Sequence, residues 1–358
     1  MPRIIGPAVN RSVLRWLPSV FLVCACAPAC AIDPLPAHGA DPAEVSVSGV
    51  SSGGFMAVQF HVAHSGRVKG VGVVAGGPYY CAQGSVWMAY YNCSTPSASA
   101  PLPSVALLKA EADALARARL IDPTDGLAAA RVWLFSGTRD RTVDPAVVDA
   151  ARQFYALYKP PAGNLVRVAD RPAGHAMVTE SAGGACGTTA PPYINDCDYD
   201  AAGELLGHVL GALEPPAAKE TGRIIRFDQR PFADGDAYAI SLADSGYAFV
   251  PRACELERCR VHVAFHGCRQ SVQAVGERFV REAGYNRWAD ANRLIVLYPQ
   301  TIARTGPGFQ GGRWSFVFNP RGCWDWWGYT DARYHTSAGR QIRTVTAMVD
   351  RLAAPRGR

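Results

Sequence analysis

Ser51 sits in a Gly-x-Ser-x-Gly frame, Gly49-Val50-Ser51-Ser52-Gly53. An alternating apolar run, Val45 and Val47, leads in, and an apolar-rich stretch from Phe55 to His64 leads out. That is strand, tight turn and helix, the setting that lifts a serine Oγ into the open above a helix N-terminus. Glycine at both flanks suits a sharp turn with no room for a side chain. The Ser52 amide would face the same point and bind charge developing on an attacked oxygen. A serine–glycine turn is more often only a turn, so partners must decide.

Two partners stand at comparable places. Strand-like Arg131 to Ser136 runs into Gly137-Thr138-Arg139-Asp140, and strand-like Asn164 to Ala169 is followed by Pro172-Ala173-Gly174-His175. In α/β sheets, sites collect beyond the C-terminal ends of strands. His175 would take the Ser51 proton, and Asp140 would hold the imidazole tautomer and stabilise the imidazolium. Asp140 also reads as a plain turn aspartate and His175 as a loop histidine. Asp144 competes for the acid role, but it precedes Pro145 and reads as a helix N-cap. The remaining histidines are poorer bases: His38 lies near the mature start, His61, His64 and His208 in helices, His262 inside a strand, and His335 late. The chemistry would be acyl transfer through an acyl-serine, with no metal and no cofactor. His61 and His64 could share a helix face, but no further ligand stands at metal-site spacing.

The elements that must carry these residues alternate. Strands are expected at 45–50, 68–76, 131–136 and 164–169, with helices at 104–120, 145–159 and 201–213 between or after them. This predicts a mostly parallel α/β sheet with helices on both faces. Residues 214–222 read as a linker by composition. Beyond it, strands are expected at 224–232, 246–251, 260–265 and 293–299, with helices at 275–292 and 337–352 and a Gly/Trp-rich loop over 306–329.

Composition bounds the compartment. The chain has 358 residues, with 36 Lys+Arg against 30 Asp+Glu, a formal charge of +6. Arg3, Arg11 and Arg15 precede an apolar core, 16–27, and an Ala-x-Ala site at 29–31, with no acid before Asp33. This predicts a secretory signal peptide over 1–31, a mature domain over 32–358, and no stable membrane insertion. Without the leader the charge falls to 33 − 30 = +3. The basic residues are scattered, so nucleic acid is not an expected partner. Secretion to the periplasm or the medium is expected, as a monomer. Eleven cysteines become eight: Cys81, Cys93, Cys186, Cys197, Cys254, Cys259, Cys268 and Cys323. An even number in a secreted chain implies disulfides. Nearness suggests 81–93, 186–197 and 254–259, leaving 268–323, although sequence does not fix the pairing.

The order Ser, Asp, His is that of α/β-hydrolases, yet Ser51 comes about twenty residues into the mature chain. The strands that ordinarily precede the nucleophile are missing there and stand after the triad instead. Strand 260–265 ends in His266-Gly267-Cys268, where a second oxyanion amide, that of Cys268, is expected. His266 would orient backbone. A circular permutation is inferred, with 214–222 joining the old ends.

With these residues in view, the chain resembles secreted poly(3-hydroxybutyrate) depolymerases of the single-domain, circularly permuted type. The resemblance rests on GVSSGGF (49–55), SGTRDRTV (136–143), AGHA (173–176), FHGCRQS (265–271) and NPRGCWDWWGY (319–329). It implies the triad Ser51–Asp140–His175, an oxyanion hole from the Ser52 and Cys268 amides, and a cleft where Asn319 and Trp324 touch a polyester or oligoester. No separate polymer-adsorption segment follows in this sequence, a departure from many such enzymes. Trp324, Trp326, Trp327, Tyr79 and Tyr80 could floor a methyl-bearing polyester, or be core. A feruloyl or acetyl esterase of plant polysaccharide would use the same triad and is the alternative reading.

Overall fold

A computed structural model describes residues 1–3, 6, 31–310 and 313–357. The chain divides into two compact units, Met1–Ala31 and Ile32–Arg358. The expected leader core and cleavage site fall almost wholly outside the described residues.

Valine-rich segments make the strands. β1 (Val45–Val50), α1 (Ser52–Ala63) and β2 (Val68–Val74) come first, then α2 (Val105–Arg117), α3 (Asp125–Ala129) and β3 (Arg131–Phe135). α4 (Pro145–Ala156) and β4 (Leu165–Val168) follow, then three short strands, β5 (Met177–Thr179), β6 (Gly184–Ala185) and β7 (Ile194–Asp196), and α5 (Ala201–Leu210). The second half runs β8 (Arg223–Asp228), β9 (Ser245–Val250), β10 (Arg260–Phe265), α6 (Val272–Val275), α7 (Arg278–Glu282), α8 (Tyr285–Ala291) and β11 (Leu294–Tyr298). It ends with β12 (Arg304–Gln310), β13 (Arg313–Asn319) and α9 (Arg340–Ala353).

Eight strands form one sheet in the order β4-β3-β2-β1-β10-β11-β9-β8. All pairings from β4 to β11 are parallel, and β9 and β8 are antiparallel at one edge. This is the α/β-hydrolase sheet, whose antiparallel edge pair ordinarily opens the chain. Here β8 and β9 follow the 214–222 segment instead, so the fold is circularly permuted. The other junction is visible too: the His38 and Ala40 amides both bond to the Leu352 carbonyl at the end of α9, at 3.0 Å. The segment that leads into β1 therefore lies against the end of the last helix. β1 sits mid-sheet with all six residues buried, and α1 is buried over its whole length. β1 and α1, which flank Ser51, are thus enclosed along their whole length, the polar Ser46, Ser48, Gln59 and His61 included.

Two expectations fail. The helix expected over 275–292 is three short ones, because Gly276 (φ 63°) and Gly284 (φ 91°) take left-handed conformations that end each segment. The loop expected over 306–329 holds most of an antiparallel hairpin, β12 with β13.

Candidate active site

The turn after β1 is strained where the sequence pointed. Ser51 has φ 58° and ψ −124°, outside the ordinary regions for a residue with a side chain, and such strain is held only where the surroundings enforce it. Two glycines enforce it. A Cβ on Gly49 would lie 2.2 Å from the Gly53 carbonyl oxygen, and one on Gly53 would lie 2.3 Å from the Phe265 carbonyl oxygen. The second contact matters more for the site, because it presses the start of α1 against the end of β10. The Ser52 amide lies in the first turn of α1, where amides lack an intrahelical acceptor.

Asp140 and His175 meet. Asp140 Oδ2 lies 2.8 Å from His175 Nδ1, and both residues are buried. The other oxygen, Oδ1, accepts from the Thr142 and Val143 amides at 2.8 and 3.0 Å. This fixes the carboxylate plane towards the imidazole. With Nδ1 so engaged, Nε2 is the nitrogen left for the open side. His175 is held from behind by its own amide, which donates to Thr189 Oγ1 at 2.9 Å, while the Gly174 amide donates to the Cys186 carbonyl. The small parallel sheet β5-β7-β6 and the Cys186–Cys197 disulfide make this backing rigid. Asp144 caps α4, its side chain accepting from the Ala146 amide at 2.8 Å, so its competing role falls away.

Ser51 and His175 line one cavity of about 150 Å³ with Gly267, Cys268 and Gln270. The loop after β10 forms its far wall. His266 lies beneath it, fully buried; Nδ1 donates to the Gly267 carbonyl at 2.7 Å and Nε2 accepts from the Thr301 amide at 3.2 Å. Burial pushes its pKa down to about 4, so the ring is neutral and both nitrogens hold backbone. Gln270, also buried, clasps the loop: Oε1 accepts from the Gly267 amide at 2.8 Å, and Nε2 donates to the Tyr193 and Pro192 carbonyls at 2.8 and 3.2 Å. It thereby joins the Cys268 loop to the wall that carries His175. The Cys268–Cys323 disulfide ties the same loop to the tryptophan-rich segment. The other bridges are Cys81–Cys93, Cys186–Cys197 and Cys254–Cys259.

Comparison with known proteins fits this geometry. Over 329 residues, 90% of the chain, it is 42% identical to a poly(3-hydroxybutyrate) depolymerase of Delftia acidovorans, of whose length it spans 62%. Over 89% of the chain it is 33% identical to a polyhydroxybutyrate depolymerase of Talaromyces funiculosus, covering 92% of that protein. The chain belongs to the poly(3-hydroxybutyrate) depolymerase family. The crystal structure of the PHB depolymerase from Penicillium funiculosum matches with a TM-score of 0.79 at 32% identity, over 89% of this chain and 98% of that one. A serine-to-alanine form of a PHB depolymerase complexed with an R3HB trimer matches equally well. No family model matches the chain.

Two residues expected to touch the substrate sit beneath the cavity. Asn319 and Trp324 are fully buried and do not line the cavity. Asn319 is a loop clamp: Oδ1 accepts from the Cys323 amide and Nδ2 donates to the Cys323 carbonyl. The Trp324 ring packs edge-on against Phe265, and its amide donates to Ser52 Oγ at 3.3 Å. Both residues support the site from below, because the disulfide draws their segment under the β10 loop. Of the aromatics that could floor a polyester or be core, Tyr79 is fully buried, half-buried Tyr80 stacks on His335, and buried Trp326 stacks on Phe55 with centroids 3.9 Å apart. His61 and His64 bond to Tyr155 and Thr346, on separate partners. Sequence reasoning missed Gln270, Thr189, Tyr193, Arg269 and Arg321 at the cavity. Only adjacency to HGC and to the cysteine loop could have signalled the first three.

Proposed function

We propose that this chain is a serine esterase that hydrolyses poly(3-hydroxybutyrate)-type polyester, with Ser51 as nucleophile, His175 as base and Asp140 as its orienting acid. The observation that carries the reading is the 2.8 Å Asp140–His175 bond on a wall of the cavity that also holds strained Ser51. His175 Nε2 takes the Ser51 proton as Oγ attacks the ester carbonyl. The Ser52 and Cys268 amides receive the oxyanion, each worth about 3 kcal/mol in such sites. Collapse expels the alkoxide, which takes the proton from His175 and leaves as a hydroxyl end. Water then gives a proton to His175 and attacks the acyl-serine, and the serine is regenerated as a carboxylate end departs.

Residues 1–31 act in this reading as a signal peptide, and 32–358 as one catalytic domain working as a monomer in the periplasm or medium. Four disulfides support an oxidising compartment. No helix among the described residues is long and apolar enough to cross a membrane. The test is labelling of the purified protein with a fluorophosphonate, followed by peptide mass mapping. One adduct on Ser51 is expected, greatly slowed in His175→Ala. Full butyrate-ester cleavage by Ser51→Ala would reject the assignment.

A further inference from the structure

The cavity lining holds two cations and no acid: Arg269 and Arg321. Both side chains are exposed at its lip. Their backbones are locked together, since the Arg269 amide donates to the Arg321 carbonyl at 2.7 Å and the Cys268–Cys323 disulfide joins their neighbouring residues. Arg269 is held at φ 60°, a conformation a non-glycine residue keeps only when its surroundings impose it. The Arg321 guanidinium lies 5.7 Å from the centre of the Tyr90 ring. Among the described residues neither guanidinium has an ion-pair partner. A neutral ester bond gives no reason for two unpaired guanidinium groups beside its nucleophile, whereas a carboxylate does.

We propose that Arg269 and Arg321 bind the free terminal carboxylate of an oligoester, making the protein selective for acid-ended chains; this rests on the hydrolase reading above. Chain polarity then sets direction. In a poly(hydroxyacid) the carboxyl end always lies on the alcohol side of the ester being cut, and the hydroxyl end on the acyl side. The arginine lip therefore receives the leaving fragment. Cutting next to it breaks the acyl–oxygen bond, leaves the acyl part on Ser51, and releases a hydroxy acid still carrying the anchored carboxylate. The same lip would hold that product, so short hydroxy acids should inhibit more strongly than their methyl esters.

The test compares kcat/KM for a 3-hydroxybutyrate trimer as the free acid and as its methyl ester, at low and high salt. The expected result is a preference for the acid of about fivefold at low salt, the upper range for an exposed ion pair, shrinking at high salt. In the Arg269→Met/Arg321→Met double variant the ratio should fall towards one, and in the Arg-to-Lys pair it should partly recover. The wild-type salt series alone decides the matter if the variants fail to fold. A ratio near one in the wild type, or a preference that survives the double variant, overturns the proposal while leaving the hydrolase reading intact. Cleavage of neither substrate would remove both.

Discussion

Gln270→Ala separates a scaffold residue from a bystander. Gln270 is 1% exposed and is the single side chain that bonds both the Gly267 amide and the Tyr193 and Pro192 carbonyls. Truncation leaves the buried Gly267 amide without its acceptor, at about 1–3 kcal/mol, and frees two carbonyls nearer to solvent at less. A loss of about 3 kcal/mol follows, which at an unfolding entropy of about 2.1 cal/mol/K per residue lowers Tm by roughly 4–5 °C in a domain of this size. Catalysis should suffer beyond stability. Gly267 precedes Cys268, whose amide we propose as the second oxyanion donor, and displacing such a donor costs on the order of a hundredfold in kcat. Gln270→Glu keeps an acceptor for Gly267 but sets a buried carboxylate oxygen against the Tyr193 and Pro192 carbonyls, so it should be no milder than Gln270→Ala. The assay is p-nitrophenyl butyrate turnover with thermal unfolding on the same samples, well below each Tm. If Gln270→Ala keeps kcat within about twofold of wild type, the clasp does not position the oxyanion loop and the reasoning is wrong.

Further expectations rest on other contacts. Gly53→Ala places a Cβ 2.3 Å from the Phe265 carbonyl oxygen and should abolish folding or activity, whereas Gly207→Ala in α5 meets nothing within 4 Å and should add about 1 kcal/mol of helix stability; equal behaviour in a thermal melt would contradict the packing. Replacing Cys268 and Cys323 by alanine opens a loop of 55 residues, a loss on the order of 4 kcal/mol, so Tm and esterase activity should fall together. Acid should destabilise the fold. Burial lowers His61 and His262 to about 3 and His266 and His335 to about 4, so the unfolded chain binds protons first as pH drops. Their contribution is complete above about pH 6.5 and is lost on the way down to 4. Asp325, raised to about 6 by burial, and Glu220, also raised by burial, act oppositely, but six histidines are lowered, since burial lowers His38 and His64 as well. Tm should hold between pH 7.5 and about 6.5 and decline from there to 4.5, and His262→Gln should flatten the decline; a Tm that rises below pH 6.5 would refute this linkage.

The candidate site was readable in sequence where chemistry coincided with strand ends. Ser51, Asp140 and His175 each follow a short apolar run, and a parallel sheet delivers such positions to one edge. The permutation was readable for the same reason, since HGC after 260–265 needed a place beside β1. Residues that act through a single hydrogen bond left no such trace. Gln270 is an isolated amide whose partners lie 77 and 78 positions away. The aromatic residues of 319–329 misled because composition shows that tryptophans gather and not which way they face. Here the Cys268–Cys323 bridge turns Trp324 inward under the β10 loop. The broken helix between Val272 and Ala291 failed through Gly276 and Gly284, whose left-handed φ values depend on packing that a helical pattern does not display.

Clearing of a poly(3-hydroxybutyrate) suspension by residues 32–358, alongside Ser51→Ala, tests the central claim most directly. Clearing with release of short hydroxy acids is expected from the wild type and none from the variant. Butyrate-ester cleavage without clearing would contradict the polyester reading and favour feruloyl or acetyl esters as substrates, and clearing by Ser51→Ala would contradict the site itself.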